Sequence, residues 1–303
     1  MTPRRGSAGT IVTVGSFDGV HRGHHAVLER IAARAAGAGL RSALVTFDPH
    51  PLEVVRPDSA PLLLTDREEK LEALAQTAVG TVVVLRFTSA VADLSPREFV
   101  QEILIGRCGM RELVIGHDHG FGRGRSGNAE TLRELATALG FGLQVIDPVG
   151  AEGRAVSSSR IRGMIADGDL AGAERLLGRP YSASGTVVEG ARRGRTIGVP
   201  TANLGEISPR KLLPPDAVYA VRVETPWGRF GGMMNQGGRP TVGDTARTLE
   251  AHLFGFDGDL YGRRVRVEWL AKIRDVRGFA SLDDLKLQLA RDRAGAEAVL
   301  ARS

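Results

Sequence analysis

Three of the chain's seven histidines, His21, His24 and His25, fall within five residues in the stretch VTVGSFDGVHRGHHAVLERI, residues 12–31. An apolar run (Ile11, Val12, Val14) stops at Gly15, and an amphipathic pattern with Val27, Leu28 and Ile31 on one face starts near His24. The cluster therefore sits at a strand-to-helix turn. Unbonded amide N–H groups and the helix dipole favour an anion at such a start. Gly23, with no side chain, lets a phosphate approach the backbone. Two imidazoles three residues apart can donate hydrogen bonds to phosphate oxygens. Phosphoryl and nucleotidyl transfer ask mainly for positioning and charge stabilisation. His21 and His24 thus suit a site that steadies the charge on a nucleotide α-phosphate. His-x-x-His is also half of a zinc site, but neither a nearby cysteine nor an obvious third ligand supports that reading. The plain alternative is a set of surface histidines at a helix start.

Four further stretches carry residues of chemical interest. FDPHP (47–51) has two prolines that stiffen a loop after a strand. GFGRGRSG (120–127) contains a literal G-x-G-x-x-G at Gly122, Gly124 and Gly127. It is a decoy for a dinucleotide fold, because HDHGF separates it from the preceding strand. SSSRIR (157–162) opens a helix; its hydroxyls and Arg162 suit either N-capping or the β- and γ-phosphates of ATP. RRGRTIGVPTANL has Gly194 and Gly198, which with the preceding Gly190 are spaced by four, but no Gly-Lys-Ser/Thr, so it is not a Walker loop. Its Thr201 and Asn203 are neutral oxygen donors of the kind that hold magnesium with a nucleotide. Read alone, PTAN is a turn. Glu250 lies in an alternating strand with His252 on the same face; read alone, it is a solvated carboxylate.

The elements that must position these residues follow from periodicity. Up to about residue 150, short apolar runs (TIVTVG, RSALVTF, TVVVLRF, ELVIG, LQVID) alternate with amphipathic stretches. That pattern predicts a doubly wound parallel sheet. Residues 157–180 predict a helical pair ended by Gly178 and Pro180. From about 183 to 274, period-two segments predict an antiparallel barrel: YAVRVETPWGRFGGMM, RTLEAHLFGF and RRVRVEWLAKI. A closing helix follows, with Ser281 as N-cap and Leu282, Leu285 and Leu289 on one face. The domain expectation is 1–182 for an α/β domain with its helical linker and 183–303 for the barrel.

The 303 residues are 42% hydrophobic and 25% charged, the balance of a globular protein, with 40 basic and 35 acidic side chains. The pI of about 9.8 fits nucleic acid or small polyanions such as nucleotides. The arginines are scattered and no aromatic stripe interleaves them, which argues against nucleic acid. One cysteine, Cys108, permits no intrachain disulfide. No run of eighteen apolar residues predicts a membrane span, and MTPRRGSAG lacks the apolar core of a secretion signal. The expectation is a cytoplasmic protein.

Taken together the motifs resemble one family. GSFDGVHRGH is similar to the His-x-Gly-His signature of nucleotidylyltransferases and, more narrowly, to bifunctional bacterial riboflavin kinase/FMN adenylyltransferases. TFDPHP, GHDHGFGRGRSG and VSSSRIR resemble the adenylyltransferase half; GVPTANL, MNQGGRPT and LEAHLFGFDGDLYG resemble the kinase half. The resemblance implies a nucleotidyltransferase-type (Rossmann-like) domain followed by a barrel. It also implies two activities, riboflavin + ATP to FMN and then FMN + ATP to FAD and pyrophosphate. It places Glu250, His21 and His24 in catalysis. Gly15, Phe17, Gly23, Ser158, Ser159, Arg162, Gly194, Gly198, Thr201 and Asn203 would bind ATP, and Pro49, Pro51, Asp118 and Phe121 the flavin. Thr201 and Asn203 would hold Mg2+ with ATP. His119 stands where many relatives have phenylalanine, and Ser159 where threonine is usual. A binding regulator without catalysis remains the competing class, and a tRNA-synthetase-like reading of His-x-Gly-His finds no anticodon-type domain.

Overall fold

The computed structural model describes residues 9–116, 120–147, 150–151, 154–190, 199–238 and 247–302. Two compact units emerge, 1–63 with 70–158, and 64–69 with 159–303.

The first unit is a five-stranded parallel sheet. Its strands are β1 (Thr10–Val14), β2 (Arg41–Asp48), β3 (Thr81–Arg86), β4 (Met110–Gly116) and β5 (Gly142–Ile146), in the order β3-β2-β1-β4-β5. The continuous apolar runs are explained by burial on both faces. On one face Ile11 packs with Ile31 and Ala35 of α1 (Arg22–Gly37). On the other, Val12 and Val14 join a core with Phe47, Phe99, Leu113 and Leu132. The crossover helices are α2 (Arg67–Ala75), α3 (Phe99–Arg107) and α4 (Ala129–Leu139). In α3 the turns widen, and the closing Cys108 N–H bonds the Ile103 carbonyl five residues back. Strand order reverses between β1 and β4, so the carboxyl end of β1 lies at the switch point where open α/β sheets bind ligands.

The second unit begins with the helical pair α5 (Ser158–Ala166) and α6 (Leu170–Leu177), its boundary falling after Ser158. Six strands then close a barrel: β6 (Tyr181–Val188), β7 (Ala202–Gly205), β8 (Ala217–Thr225), β9 (Gly228–Gly238), β10 (Arg247–Leu253) and β11 (Arg264–Arg274). The order around it is β8-β9-β10-β7-β6-β11, and every pairing is antiparallel. Tyr219, Met234, Leu249, Ala251 and Trp269 are buried, and the Trp269 indole donates to the Gln236 side chain at 3.1 Å. The Gln236 amide in turn donates to the Pro214 carbonyl, which satisfies the one carboxamide fully buried there.

The closing helix α7 (Leu282–Leu300) is capped by Ser281 as expected. Its predicted apolar face needs correction. Leu282 is 53% exposed, and the contact stripe starts later, where Leu289, Ala296 and Val299 meet Ala220 and Met233 of the barrel's outer face. The buried polar residue on that stripe is Asp292, held bidentately by Arg274.

Leu64–Glu69 groups with the barrel through a buried ion pair. Glu69 Oε2 lies 2.5 Å from Lys211 Nζ, and both side chains are almost fully buried. Lys211 also donates to the Leu64 carbonyl at 2.6 Å, and Glu69 Oε1 accepts the Ser184 N–H at 2.8 Å. Both ions are therefore hydrogen-bonded as well as paired, the condition under which burial of charge is tolerated.

Candidate functional sites

The turn after β1 is built by unusual backbone. Phe17 (φ 49°) and Val20 (φ 39°) both occupy the left-handed region that a side chain disfavours, above all a β-branched one. Side chains help hold the turn: Thr46 Oγ1 donates to the Ser16 carbonyl at 3.0 Å, and Ser158 Oγ donates to the Asp18 carbonyl at 2.9 Å. Ser158 is thus used to fasten this loop. Gly15 is required for a local reason, since a Cβ there would lie 2.9 Å from the Phe17 ring.

Helix α1 starts two residues earlier than its apolar face suggested, because His21 is its N-cap. His21 Nδ1 accepts the His24 N–H, and His24 Nδ1 accepts the His21 N–H, both at 3.3 Å. This is a capping box made of two imidazoles in place of hydroxyl and carboxylate. The rings stack at 3.6 Å between centroids, 12° from parallel, and Phe17 lies 4.4 Å from the His24 ring. A neutral imidazole has one donor and one acceptor nitrogen. With Nδ1 accepting in each ring, the proton sits on Nε2, and each ring carries its donor on the edge away from the helix backbone. Gly23 packs closely on the cap: a Cβ there would sit 3.2 Å from the His21 ring. His25 continues the helix, its N–H bonding the His21 carbonyl.

The remaining candidates of this unit are more dispersed. Pro49, after a cis Asp48–Pro49 bond, is exposed; Pro51 begins a short helix, Pro51–Val55, capped by His50. Phe121 is buried against Phe99 in the core, with its carbonyl bonded by the Gly127 N–H. Asp118 lies outside the described residues. Ser159 and Arg162 follow Ser158 on α5 and belong to the second unit.

The second site is set by strand register. Asn203 on β7 faces Glu250 on β10, which faces Asn235 on β9. Directly opposed residues share a face of the sheet. On β9 that face is outward: Met233 packs under α7, whereas the intervening Met234 and Gln236 are buried in the barrel. Asn203 is 9% exposed, and among the described residues its Oδ1 has no hydrogen-bond partner. The Gly190 backbone passes so close that a Cβ there would fall on the Asn203 amide. His252, on the same face as Glu250, lies 2.8 Å through Nδ1 from the Pro200 carbonyl and fixes the segment before Thr201. Gly194 and Gly198 lie outside the described residues. A buried amide oxygen without a partner among the described residues, register-paired with a carboxylate and two residues after a threonine, is a hard-oxygen donor set, and it fits Mg2+. Sequence reading placed Gly190 in the glycine-spaced loop but missed Asn235; alternation alone puts Asn235 on a face but cannot say which strand lies opposite.

Comparison with known proteins agrees with the two units. A family model for FAD synthetase matches residues 4–160, and one for riboflavin kinase matches 177–300. The bifunctional riboflavin kinase/FMN adenylyltransferase of Escherichia coli K12 is 40% identical over 94% of this chain and 90% of its own length. The Bacillus subtilis protein of the same name is 33% identical over 94% and 91%. A crystal structure from Streptococcus pneumoniae, named a macrolide-efflux protein, superposes with a TM-score of 0.87 at 33% identity, covering 98% of this chain and 95% of that one. The chain belongs to the bifunctional riboflavin kinase/FMN adenylyltransferase family.

Proposed function

We propose that the chain phosphorylates riboflavin with ATP to give FMN, and adenylylates FMN with a second ATP to give FAD and pyrophosphate. The observation that carries this reading is the division of labour along the chain: each family model falls on a region with its own set of candidate groups. Among the described residues no helix is long and apolar enough to cross a membrane, so nothing supports transport as the activity. We read the protein as a cytoplasmic enzyme of small flavins and nucleotides, without a nucleic-acid partner.

In the barrel, Glu250 accepts a hydrogen bond from the riboflavin 5′-hydroxyl and orients its oxygen toward the γ-phosphate, the main task of a base in a loose phosphoryl transfer. Thr201 and Asn203 hold Mg2+ and, with Gly194 and Gly198, the nucleotide. The metal supplies charge neutralisation at the phosphate oxygens. In the α/β unit, the Nε2–H groups of His21 and His24 donate to the α-phosphate as negative charge builds there, with Gly15, Phe17 and Gly23 shaping the turn. Ser159 and Arg162 take the departing pyrophosphate while Ser158, its hydroxyl proton given to the Asp18 carbonyl, keeps the β1–α1 turn in place, and Pro49, Pro51, Asp118 and Phe121 shape the flavin side.

The test is chromatography of riboflavin incubated with the protein, ATP and magnesium. FMN and then FAD are expected, and neither should form when the metal is chelated. Absence of both products with metal present would remove the reading, and FMN alone would restrict it to the barrel.

A further inference from the structure

We propose that Asn235 is a positioning residue for the alcohol that receives the phosphoryl group, holding that acceptor's hydroxylated chain beside Glu250. The inference rests on the kinase reading above.

Asn235, Glu250 and Asn203 stand side by side on three adjacent strands, β9, β10 and β7. Side chains so opposed have Cβ atoms about 5 Å apart, so Glu250 is flanked by two carboxamides. The two differ in surroundings. Asn203 is buried beneath the Gly190 backbone and beside Thr201, on the side assigned to metal and nucleotide. Asn235 is exposed, and its side chain has no hydrogen-bond partner among the described residues. Asparagine is disfavoured inside strands, and no hydrogen bond among the described residues uses this one.

The chemistry matches an alcohol chain. A carboxamide offers both donor and acceptor, as does each hydroxyl of a polyol. A chain that presents one hydroxyl to Glu250 can place a neighbouring one against Asn235, about one strand spacing away. The row then runs on across the same outer face to Val218 of β8 and Arg274 of β11. The Arg274 guanidinium is fixed by Asp292 and lies 5.6 Å from the Phe279 ring centre. Apolar and aromatic surface thus follows Asn235 on the side away from Asn203, and the acceptor's chain crosses Asn235 on its way to Glu250.

The test uses full-length enzyme with Asn235→Ala and Asn235→Ser, assayed separately for both reactions. Asn235→Ala is expected to raise the KM for riboflavin roughly 3- to 10-fold for each hydrogen bond lost. The KM for ATP and the conversion of added FMN to FAD should stay at wild-type values. Asn235→Ser, which keeps a donor and an acceptor, should recover part of the loss. Binding by fluorescence quenching supplies a readout that a merely structural role would not give. Riboflavin should bind Asn235→Ala more weakly, while lumiflavin, an isoalloxazine with a methyl group in place of the hydroxylated chain, should bind both proteins alike. Equal weakening of both flavins, or an Asn235→Ala enzyme with wild-type riboflavin kinetics, would overturn the proposal and leave the kinase reading standing. A wild-type enzyme that makes no FMN overturns the kinase reading itself, and this proposal with it.

Discussion

The helix-start site and the barrel site solve the same problem, holding phosphate chemistry, in opposite ways. At the β1–α1 turn the key groups are engaged with each other before any ligand arrives. His21 and His24 cap the helix reciprocally, stack, and fix one another's tautomer. In the barrel, two carboxamides that flank Glu250 are less engaged: among the described residues neither Asn203 Oδ1, which is buried, nor the exposed Asn235 side chain has a hydrogen-bond partner. The first arrangement ties function to fold stability, because the atoms that orient the site also satisfy helix N–H groups. The second separates them, because register alone places the side chains and ligands complete their bonding.

The sharpest test of that contrast is Glu250→Gln. The side chain keeps its size on an outer strand face and loses only its capacity to take a proton. Riboflavin phosphorylation should fall by roughly 10²–10⁴, about 3–5 kcal/mol of barrier. Stability and the conversion of added FMN to FAD should be unchanged. Two assays and one melt on a single variant decide it. Wild-type FMN formation would return Glu250 to the status of a solvated strand residue.

Two effects of comparable size should appear as stability and as rate. Lys211→Met removes the hydrogen-bonded cation of the buried Glu69 carboxylate and leaves Arg179 as its nearby positive charge; breaking such a pair costs up to about 3–5 kcal/mol. Both tryptophans, Trp227 and Trp269, lie in the barrel unit, so their fluorescence in a denaturant titration reports that loss directly. For the same reason residues 183–303 made alone are proposed to form FMN but to melt earlier than in the full chain. That fragment removes Glu69 and Tyr181, whose hydroxyl bonds the Leu212 carbonyl. His24→Ala should slow FAD formation about 10²–10³-fold, the usual cost of one preorganised donor, and spare FMN formation. Undiminished FAD synthesis in that variant would remove the site assignment.

How much of this was legible in the sequence depended on the kind of interaction. The central parallel strands announced themselves because burial on both faces demands unbroken apolar runs, as in Ile11–Val14 and Ala43–Phe47, while the edge strands Thr81–Arg86 and Gly142–Ile146 are only partly buried and were read from their apolar runs alone. Four barrel strands showed period two, but β6 and β7 did not. Tyr181–Val188 is rich in small residues because Gly185 packs directly on the Gly205 backbone, and Ala202–Gly205 is four residues long behind a turn-like Pro-Thr. The start of α1 was misplaced by two residues because a histidine cap lacks the hydroxyl or carboxylate by which caps are usually recognised. The row Asn203–Glu250–Asn235 and the pairing of Glu69 with Lys211 were invisible, since both are set by contacts distant in sequence. Leu282 misled because helical periodicity shows which face is apolar but not where along the helix the partner surface begins.

The smallest effect discriminates most finely, since it asks whether His21 caps and catalyses with separable atoms. Asparagine is among the best N-cap residues, and its side-chain oxygen can replace Nδ1 as acceptor for the His24 N–H. It cannot reach where Nε2–H reaches, nor stack on the His24 ring. His21→Asn should therefore keep the helix start, with a melting temperature close to wild type, yet lose FAD synthesis to the extent that His24→Ala does. His21→Ala removes acceptor and donor together and should cost about 1 kcal/mol of stability in addition. Thermal melts of the two variants, compared with their FAD-forming rates, separate the atoms. Equal destabilisation in both would mean that ring stacking, and not the cap, holds the turn. Retained FAD synthesis in His21→Asn would mean that His24 alone faces the phosphate.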